Sequence, residues 1–233
     1  MSEAYFNVNE IFGPTFQGEG PHTGQHVSFL RLAGCNLACT WCDTPYSWDW
    51  ERYDKNEESH KESVSDVAEA LTQLGSNRII ITGGEPMLQQ RHFPLLKHLT
   101  GMQIDVETNG TRMPTQDVID VVDLFCVSPK LKHAGDSRDK RIKVDVIQKF
   151  GELARQGKAI FKFVAECEDD FDEIKEFIEI GNLPDSSVWI MPEGSSFASQ
   201  LENMRELCDA ILDEGWNLSP RLHVLIWGSE RKR

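Results

Sequence analysis

Seven short runs rich in β-branched and aromatic residues recur along the chain, and each closes on a small polar cluster. They are HVSFLRLAGC (26–35), RIIITGGEP (78–86), QIDVETNG (103–110), LFCVSPK (124–130), IFKFVAE (160–166), VWIMPEG (188–194) and LHVLIWG (222–228). Between most of them lie amphipathic stretches of helical length, among them 142–157, 168–181 and 197–215. A further helix is predicted from a cap near Ser65 or Asp66, with Val67, Leu71 and Leu74 on one face. Strands alternating with helices feed right-handed βαβ units and a parallel sheet. Six or seven such units are too few for a closed eight-stranded barrel. The expected fold is therefore α/β, a partial (β/α)6-type barrel with parallel strands. The 233 residues suffice for one large core, and residues 1–233 read as a single domain.

The polar clusters carry the functional expectation. Cys35, Thr82 to Glu85, Glu107 to Asn109, Ser128 to Lys130 and Glu193 all fall at the carboxyl ends of the apolar runs. Ligands in α/β barrels and open sheets bind outside those ends, so one rim collects these groups. The formal net charge is −14, which argues against binding nucleic acid or an anionic membrane through bulk electrostatics. An anionic small molecule needs cations supplied by the site itself. No stretch approaches the ~20 apolar residues of a membrane span. The start, MSEAYFNVNEIFG, lacks a basic segment followed by an apolar one, so the chain is expected to be cytoplasmic.

Three of the six cysteines stand within eight positions, CNLACTWC (35–42). In a cytosolic chain, clustered cysteines point to metal or redox chemistry rather than disulfides. Cys126, Cys167 and Cys208 lie in apolar or helical patterns and read as core residues. A structural zinc needs four ligands, usually as two spaced pairs, and the nearest candidates for a fourth (His22, His26, His60) sit at no familiar spacing. A cluster of purely structural thiols is a second reading. The third is an iron–sulfur cluster of four irons held by three thiolates, whose open iron is a place for a ligand to bind.

The spacing C-x3-C-x2-C, with Trp41 before the last cysteine, resembles the signature of the radical S-adenosylmethionine superfamily. The resemblance implies that Cys35, Cys39 and Cys42 hold a [4Fe–4S] cluster and that S-adenosylmethionine chelates the open iron. An electron from the cluster then generates a 5′-deoxyadenosyl radical, with Trp41 near the adenine. TGGEP (82–86) matches the superfamily's GGE motif, so Gly84 and Glu85 are expected to meet the methionine amine.

Across most of the chain the order FQGEG, RLAGCNLxCxWCDT, TGGEP, ETNG, VSPK, MPEG and RLHVLIWG resembles the 7-carboxy-7-deazaguanine synthase family. That family converts 6-carboxy-5,6,7,8-tetrahydropterin to 7-carboxy-7-deazaguanine with loss of ammonia, regenerates S-adenosylmethionine and requires Mg2+. The resemblance implies cofactor contacts from Ser128, Pro129 and Lys130, and from Met191, Pro192, Glu193 and Gly194. It implies Thr44 as the Mg2+ residue, Arg31 on the substrate carboxylate, and Phe16, Gln17, Gly18, Glu19 and Thr82 around the pterin. Lys162 is expected to point inward. An electron donor such as flavodoxin or ferredoxin and a homodimer follow from the same resemblance; queuosine, archaeosine, DNA-modification and antibiotic pathways all use the product. Residues 45–63 match no family motif and are a candidate docking segment for the reductant; within them WDWERYDKNEESHKES (48–63), rich in charge and poor in periodicity, reads as a loop. The tail GSERKR reads as a frayed end. Two other functions stay open: an activase that abstracts hydrogen from a partner protein's glycine, and a non-catalytic zinc-binding module.

Overall fold

The computed structural model describes residues 4–228 and 230–232. Nine strands form one sheet among them: β1 Tyr5–Phe16, β2 His26–Leu32, β3 His60–Ser63, β4 Arg78–Gly83, β5 Gln103–Thr108, β6 Leu124–Val127, β7 Ala159–Ala165, β8 Val188–Pro192 and β9 Asn217–Leu218. Their spatial order is β3-β1-β2-β4-β5-β6-β7-β8-β9. From β2 to β9 every pairing is parallel, while β1 pairs antiparallel with both β2 and β3. Six parallel strands from β2 to β8 carry the expected partial barrel, and a three-stranded antiparallel edge extends it.

The α-helices are α1 Lys55–Glu58, α2 Val64–Gln73, α3 Phe93–Thr100, α4 Gln116–Val121, α5 Arg138–Arg141, α6 Val144–Arg155, α7 Asp170–Gly181, α8 Phe197–Asp213 and α9 Leu222–Trp227. The three long stretches expected to be helical contain α6, α7 and α8. Helix α2 begins earlier than expected, because the hydroxyl of Ser63 accepts the Asp66 N–H at 3.1 Å and caps the helix there. Such a cap is worth ~1 kcal/mol.

Side chains alternate across each strand. On β7, Phe161 and Phe163 enter the main apolar core while Lys162 and Val164 line the inner cavity. Ile104 and Val106 of β5 and Phe125 and Val127 of β6 lie in the same core, whereas Glu107 lines the cavity. A second, small core of Phe12, Val27, Phe29 and Ile80 fills part of the inner face. Its Phe12 and Phe29 rings stack 4.9 Å apart with planes 3° from parallel, a geometry worth about 0.5–1.5 kcal/mol beyond area burial.

Four expectations are corrected here. The segment 222–228, expected as a strand, forms the helix α9, and the last strand is the two-residue β9; a short continuous apolar run does not distinguish the two. Residues 10–16, which lie ahead of the first expected strand at 26–35, belong to β1. Register shifts between Val8 and Glu10 and between Phe12 and Thr15 break its alternation, which hides the strand from a period-2 pattern. The loop-like stretch 48–63 holds α1, capped by Asp54, and β3. Cys126 is buried as expected, but Cys167 is exposed and Cys208 half-buried. Cys167 lies in the turn before α7, and Cys208 is one step round α8 from the core-facing Leu207. The expectation of a missing leader concerns in part Met1 to Glu3, and that of a frayed tail in part Ser229 and Arg233; these residues lie outside the described ones.

Candidate active site

The carboxyl ends of β2 and β4 to β8 surround a cavity of about 400 Å3. Its first wall is the irregular loop that leaves β2. Neighbours clamp that loop through its backbone: Gly34 N–H donates to Ser47 O (2.8 Å), Thr40 N–H to Ala134 O (3.0 Å) and Glu85 N–H to Gly34 O (2.8 Å). The Ala38 N–H donates to Asp136 Oδ2 at 2.7 Å. Asn36 joins the loop to the end of β5 by donating to Thr111 Oγ1 and accepting from Asn109 Nδ2. At Gly84 a β-carbon would stand 2.2 Å from Gly34 O and 3.0 Å from Cys35 Cβ. No side chain fits there, so the GGE turn packs its bare backbone against the cysteine loop.

Cys35, Cys39 and Cys42 all line the cavity. Leu37 N–H lies 3.5 Å from Cys35 Sγ, and Trp48 Nε1–H donates to Cys42 Sγ at 3.3 Å. Burial pushes the Cys35 thiol up to about 12, and burial also raises Cys39 against the opposing pull of Lys130. Half-buried thiols, two of them with an N–H group directed at sulfur, fit ligation to a strongly positive centre, which deprotonates a coordinating thiol outright. Trp41 also lines the cavity. It stacks on His133 at 5.5 Å, lies 5.5 Å from Lys130 Nζ, and its buried Nε1–H has no acceptor among the described residues. This wall fits an iron–sulfur cluster with an aromatic, hydrogen-bonding ligand beside it.

The floor is a charge network. Lys162 and Arg221 both pair with Glu19. Burial opposes ionisation of Glu19, but the two cations outweigh it and hold the carboxyl well below the carboxylate range. Burial likewise opposes the charge on Lys162, and Glu19 more than offsets it, so the ammonium stays charged. Arg221 also reaches Asp43 of the cysteine loop and Gly194 O, tying three segments together. Gln17 donates to Glu107 Oε1 at 3.0 Å, while its own Oε1 accepts the Gly18 N–H at 2.8 Å. A β-carbon on Gly18 would fall 2.0 Å from His223 Nδ1, so the glycine lets α9 seat its histidine on this turn. Burial lowers His223, which favours its neutral form.

Arg31 projects from β2 into the cavity, with its Nε donating to Glu10 Oε2 at 3.1 Å and its guanidinium 5.8 Å from the Phe12 ring centre. Phe16, Gln17, Gly18, Glu19, Thr44, Thr82, Gly84, Ser128, Lys130 and Met191 line the same space. The structure turns others away. Glu85 is fully buried, and its carboxylate accepts from Met87 N–H (2.9 Å), Thr108 Oγ1 (2.7 Å) and Asn109 N–H (2.7 Å), braced against β5 rather than open to an ammonium. Pro192 O accepts from Gln200, Glu193 O accepts from Asn203, and a β-carbon on Gly194 would strike Gln200. Of MPEG only Met191 reaches the cavity; the other three residues turn the chain into α8. Pro129 sits between Ser128 and Lys130 without lining the cavity.

Sequence reasoning missed Asp43, Arg221, His223 and the tail, and placed Glu107 on the rim without giving it a role. Glu107 stood in a strand-end cluster and was detectable by that position alone. His223 was hidden by reading 222–228 as a strand, and Arg221 stands just ahead of that segment. The tail is not frayed where it is described: Glu230, Arg231 and Lys232 line the cavity.

The Glu19 network has a measurable pH signature. A carboxyl depressed in the folded state stabilises fully above its ordinary value of 4.5, and that stabilisation is lost as pH falls through the folded value. Glu19→Gln is expected to lower the melting temperature at pH 7, and the gap to the parent should narrow steadily below pH ~4.5. A gap that stays constant from pH 7 into that acid range would show that Glu19 ionisation does not stabilise the fold.

Comparison with known proteins identifies the family. Residues 30–126, which span the cysteine loop and the GGE turn, match the model of the Radical SAM superfamily. The 7-carboxy-7-deazaguanine synthase of Pyrobaculum aerophilum is 36% identical over 227 residues, covering 96% of both chains. The synthase of Hyperthermus butylicus is 34% identical, with 94% of this chain and 92% of that one covered. In fold, the crystal structure of QueE from Escherichia coli superposes with a TM-score of 0.68 at 24% identity over 94% of this chain and 95% of that one. The clamped cysteine triad, the glycine turn packed on it and full-length identity to named synthases lead to one conclusion: this chain belongs to the 7-carboxy-7-deazaguanine synthase family, within the radical S-adenosylmethionine superfamily.

Proposed function

We propose that this chain converts 6-carboxy-5,6,7,8-tetrahydropterin to 7-carboxy-7-deazaguanine and ammonia, a ring contraction with no net oxidation or reduction. The observation that carries the reading is that the three thiols and the cationic side chains of Arg31, Lys130, Lys162 and Arg221 line one cavity. Family membership through relatives named for the product supports it. Cys35, Cys39 and Cys42 would hold a [4Fe–4S] cluster, with Trp41, Gly84, Ser128, Lys130 and Met191 bordering S-adenosylmethionine. When bound, those groups supply the hydrogen-abstracting chemistry.

The protein's own residues bind and orient the pterin. Arg31 meets the substrate carboxylate, Phe12 and Phe29 wall the ring, and Glu19, Gln17 and Glu107 face its polar edge from the floor. Thr44 offers a hydroxyl to Mg2+, a hard cation that takes few protein oxygens and keeps waters. The whole chain acts as one catalytic domain, as a homodimer, in the cytoplasm, reduced by a donor of the flavodoxin or ferredoxin class; no helix among the described residues is long and apolar enough to cross a membrane. An activase of a partner glycine would have no small carboxylate to hold and no use for this floor.

The test is anaerobic turnover of the pterin by reconstituted enzyme, with the product identified by mass. A charge-assisted hydrogen bond is worth about 1.5–3 kcal/mol, and each 1.4 kcal/mol is tenfold. Arg31→Ala is therefore expected to raise KM by about one to two decades. Arg31→Lys should recover little, because a point charge does not reproduce the guanidinium fork. Absence of deazapurine from the reduced, reconstituted parent would defeat the reaction; an unchanged KM in Arg31→Ala would defeat the role of Arg31.

A further inference from the structure

The chain end and the segment 45–63 carry none of the family motifs, and they meet at one arginine. Arg231 Nε and Nη2 donate to Glu10 Oε1 at 3.0 and 2.7 Å. Its Nη1 and Nη2 donate to the two carboxylate oxygens of Glu58 at 3.1 and 2.9 Å. Its Cζ lies 3.7 Å from the ring centre of Tyr46. Every nitrogen of this guanidinium is thus engaged, although the side chain is 43% exposed. Glu10, by contrast, is 2% exposed, and its second oxygen accepts Nε of Arg31. One buried carboxylate is shared between two guanidiniums, one oxygen to each.

The sharing decides which edge of Arg31 faces the cavity. A guanidinium has two edges that can grip a carboxylate with paired N–H donors, side-on through Nε and one Nη, and end-on through both Nη atoms. Glu10 occupies the side-on edge through Nε alone, since its other oxygen is held by Arg231. The end-on pair is not taken up by Glu10, and Arg31 lines the cavity. Without Arg231, both Glu10 oxygens become available to Arg31, and the side-on fork closes on one of the two Nη donors.

We infer that Arg231 is a positioning residue for substrate recognition, acting through Glu10 to hold Arg31 in the orientation that grips the carboxylate of the pterin. The inference rests on the reading of Arg31 given above. It makes selectivity for a carboxylated pterin depend on a tail residue 221 positions away from Glu10.

Titration of reconstituted enzyme with 6-carboxytetrahydropterin and with tetrahydropterin, alongside steady-state kinetics, tests this. Arg231→Ala is expected to weaken binding of the carboxylated pterin and raise its KM by about tenfold, with kcat changed far less. Affinity for the pterin without a carboxylate should hold within about twofold. Arg231→Lys should restore part of the loss. Glu58→Gln, which loosens the clasp without touching Glu10 or Arg31, should show the same selectivity loss in weaker form. In an Arg31→Ala background, Arg231→Ala should add little. Iron content and melting temperature identify a variant that has failed to assemble, in which case Glu58→Gln carries the test. Equal weakening of both pterins, or a full additional loss in the Arg31→Ala background, overturns the inference and leaves the tail as structural cover. A parent enzyme that neither binds nor turns over the carboxylated pterin overturns the reaction itself, a failure distinguishable from that of the clasp.

Discussion

Replacing Cys35, Cys39 or Cys42 singly by alanine is expected to abolish both the iron–sulfur cluster and all turnover. Each thiol lines the same cavity wall. The loop between them is clamped by Ala134, Asp136 and the GGE turn, so no other cysteine has freedom to move in as a substitute. Cys126 is buried on β6 and does not line the cavity wall that the three thiols share. Cys126→Ala should therefore keep its iron, at a packing cost of roughly 1–3 kcal/mol. Cys167→Ala, at an exposed position, should stay within about 0.5 kcal/mol of the parent. Iron, acid-labile sulfide and the visible absorption of anaerobically purified variants decide the matter. A Cys39 variant that retains iron, or a Cys126 variant that loses it, would refute the assignment.

Lys162→Met should be the most destabilising single change on the cavity floor. Lys162 and Glu19 are 6% and 14% exposed. Removing one partner of a buried pair typically costs 3–5 kcal/mol, because the other charge is left desolvated. Arg221 remains 3.2 Å from Glu19, which places this case near the lower end. For a chain of this size about 1 kcal/mol moves the melting temperature by roughly 2–4 °C, so a fall of about 6–12 °C is expected. The double variant Lys162→Met with Glu19→Gln should recover part of the loss, since the stranded charge is then gone. Thermal melting of the two single variants and the double variant under oxygen-free conditions measures this. An unchanged melting temperature in Lys162→Met would show that the pair contributes nothing net.

The sequence by itself determined the features that are local. Cysteine spacing is one: three thiols on a short loop after a strand define a cluster wall whatever else the chain does. Strand and helix alternation is another, because a parallel strand needs a crossover, and the crossover sets the rim at which Cys35, Thr82 and Ser128 meet. The inward direction of Lys162 followed from its odd position among Phe161 and Phe163, a consequence of the two-residue period of a strand. The tertiary structure alone decided what those inward groups do. Glu19 and Lys162 are 143 positions apart, and Arg221 and Glu19 are 202 apart; no periodicity encodes a pairing at that range, which arises only when β1, β7 and α9 close on one cavity. The same holds for Glu85, whose motif suggested an open carboxylate until β5 brought Thr108 and Asn109 against it. The apolar run at 222–228 suits a buried strand as well as a helix. The sheet resolved it: β8 pairs with β9 instead, which leaves α9 to lay His223 over Gly18. A frayed basic tail is the natural reading of five polar residues after a glycine, and a buried Glu10 with one oxygen to spare is what pins it. Local pattern sets which elements form and which way their side chains face, whereas the partner a charged side chain finds depends on which distant carboxylate is desolvated beside it.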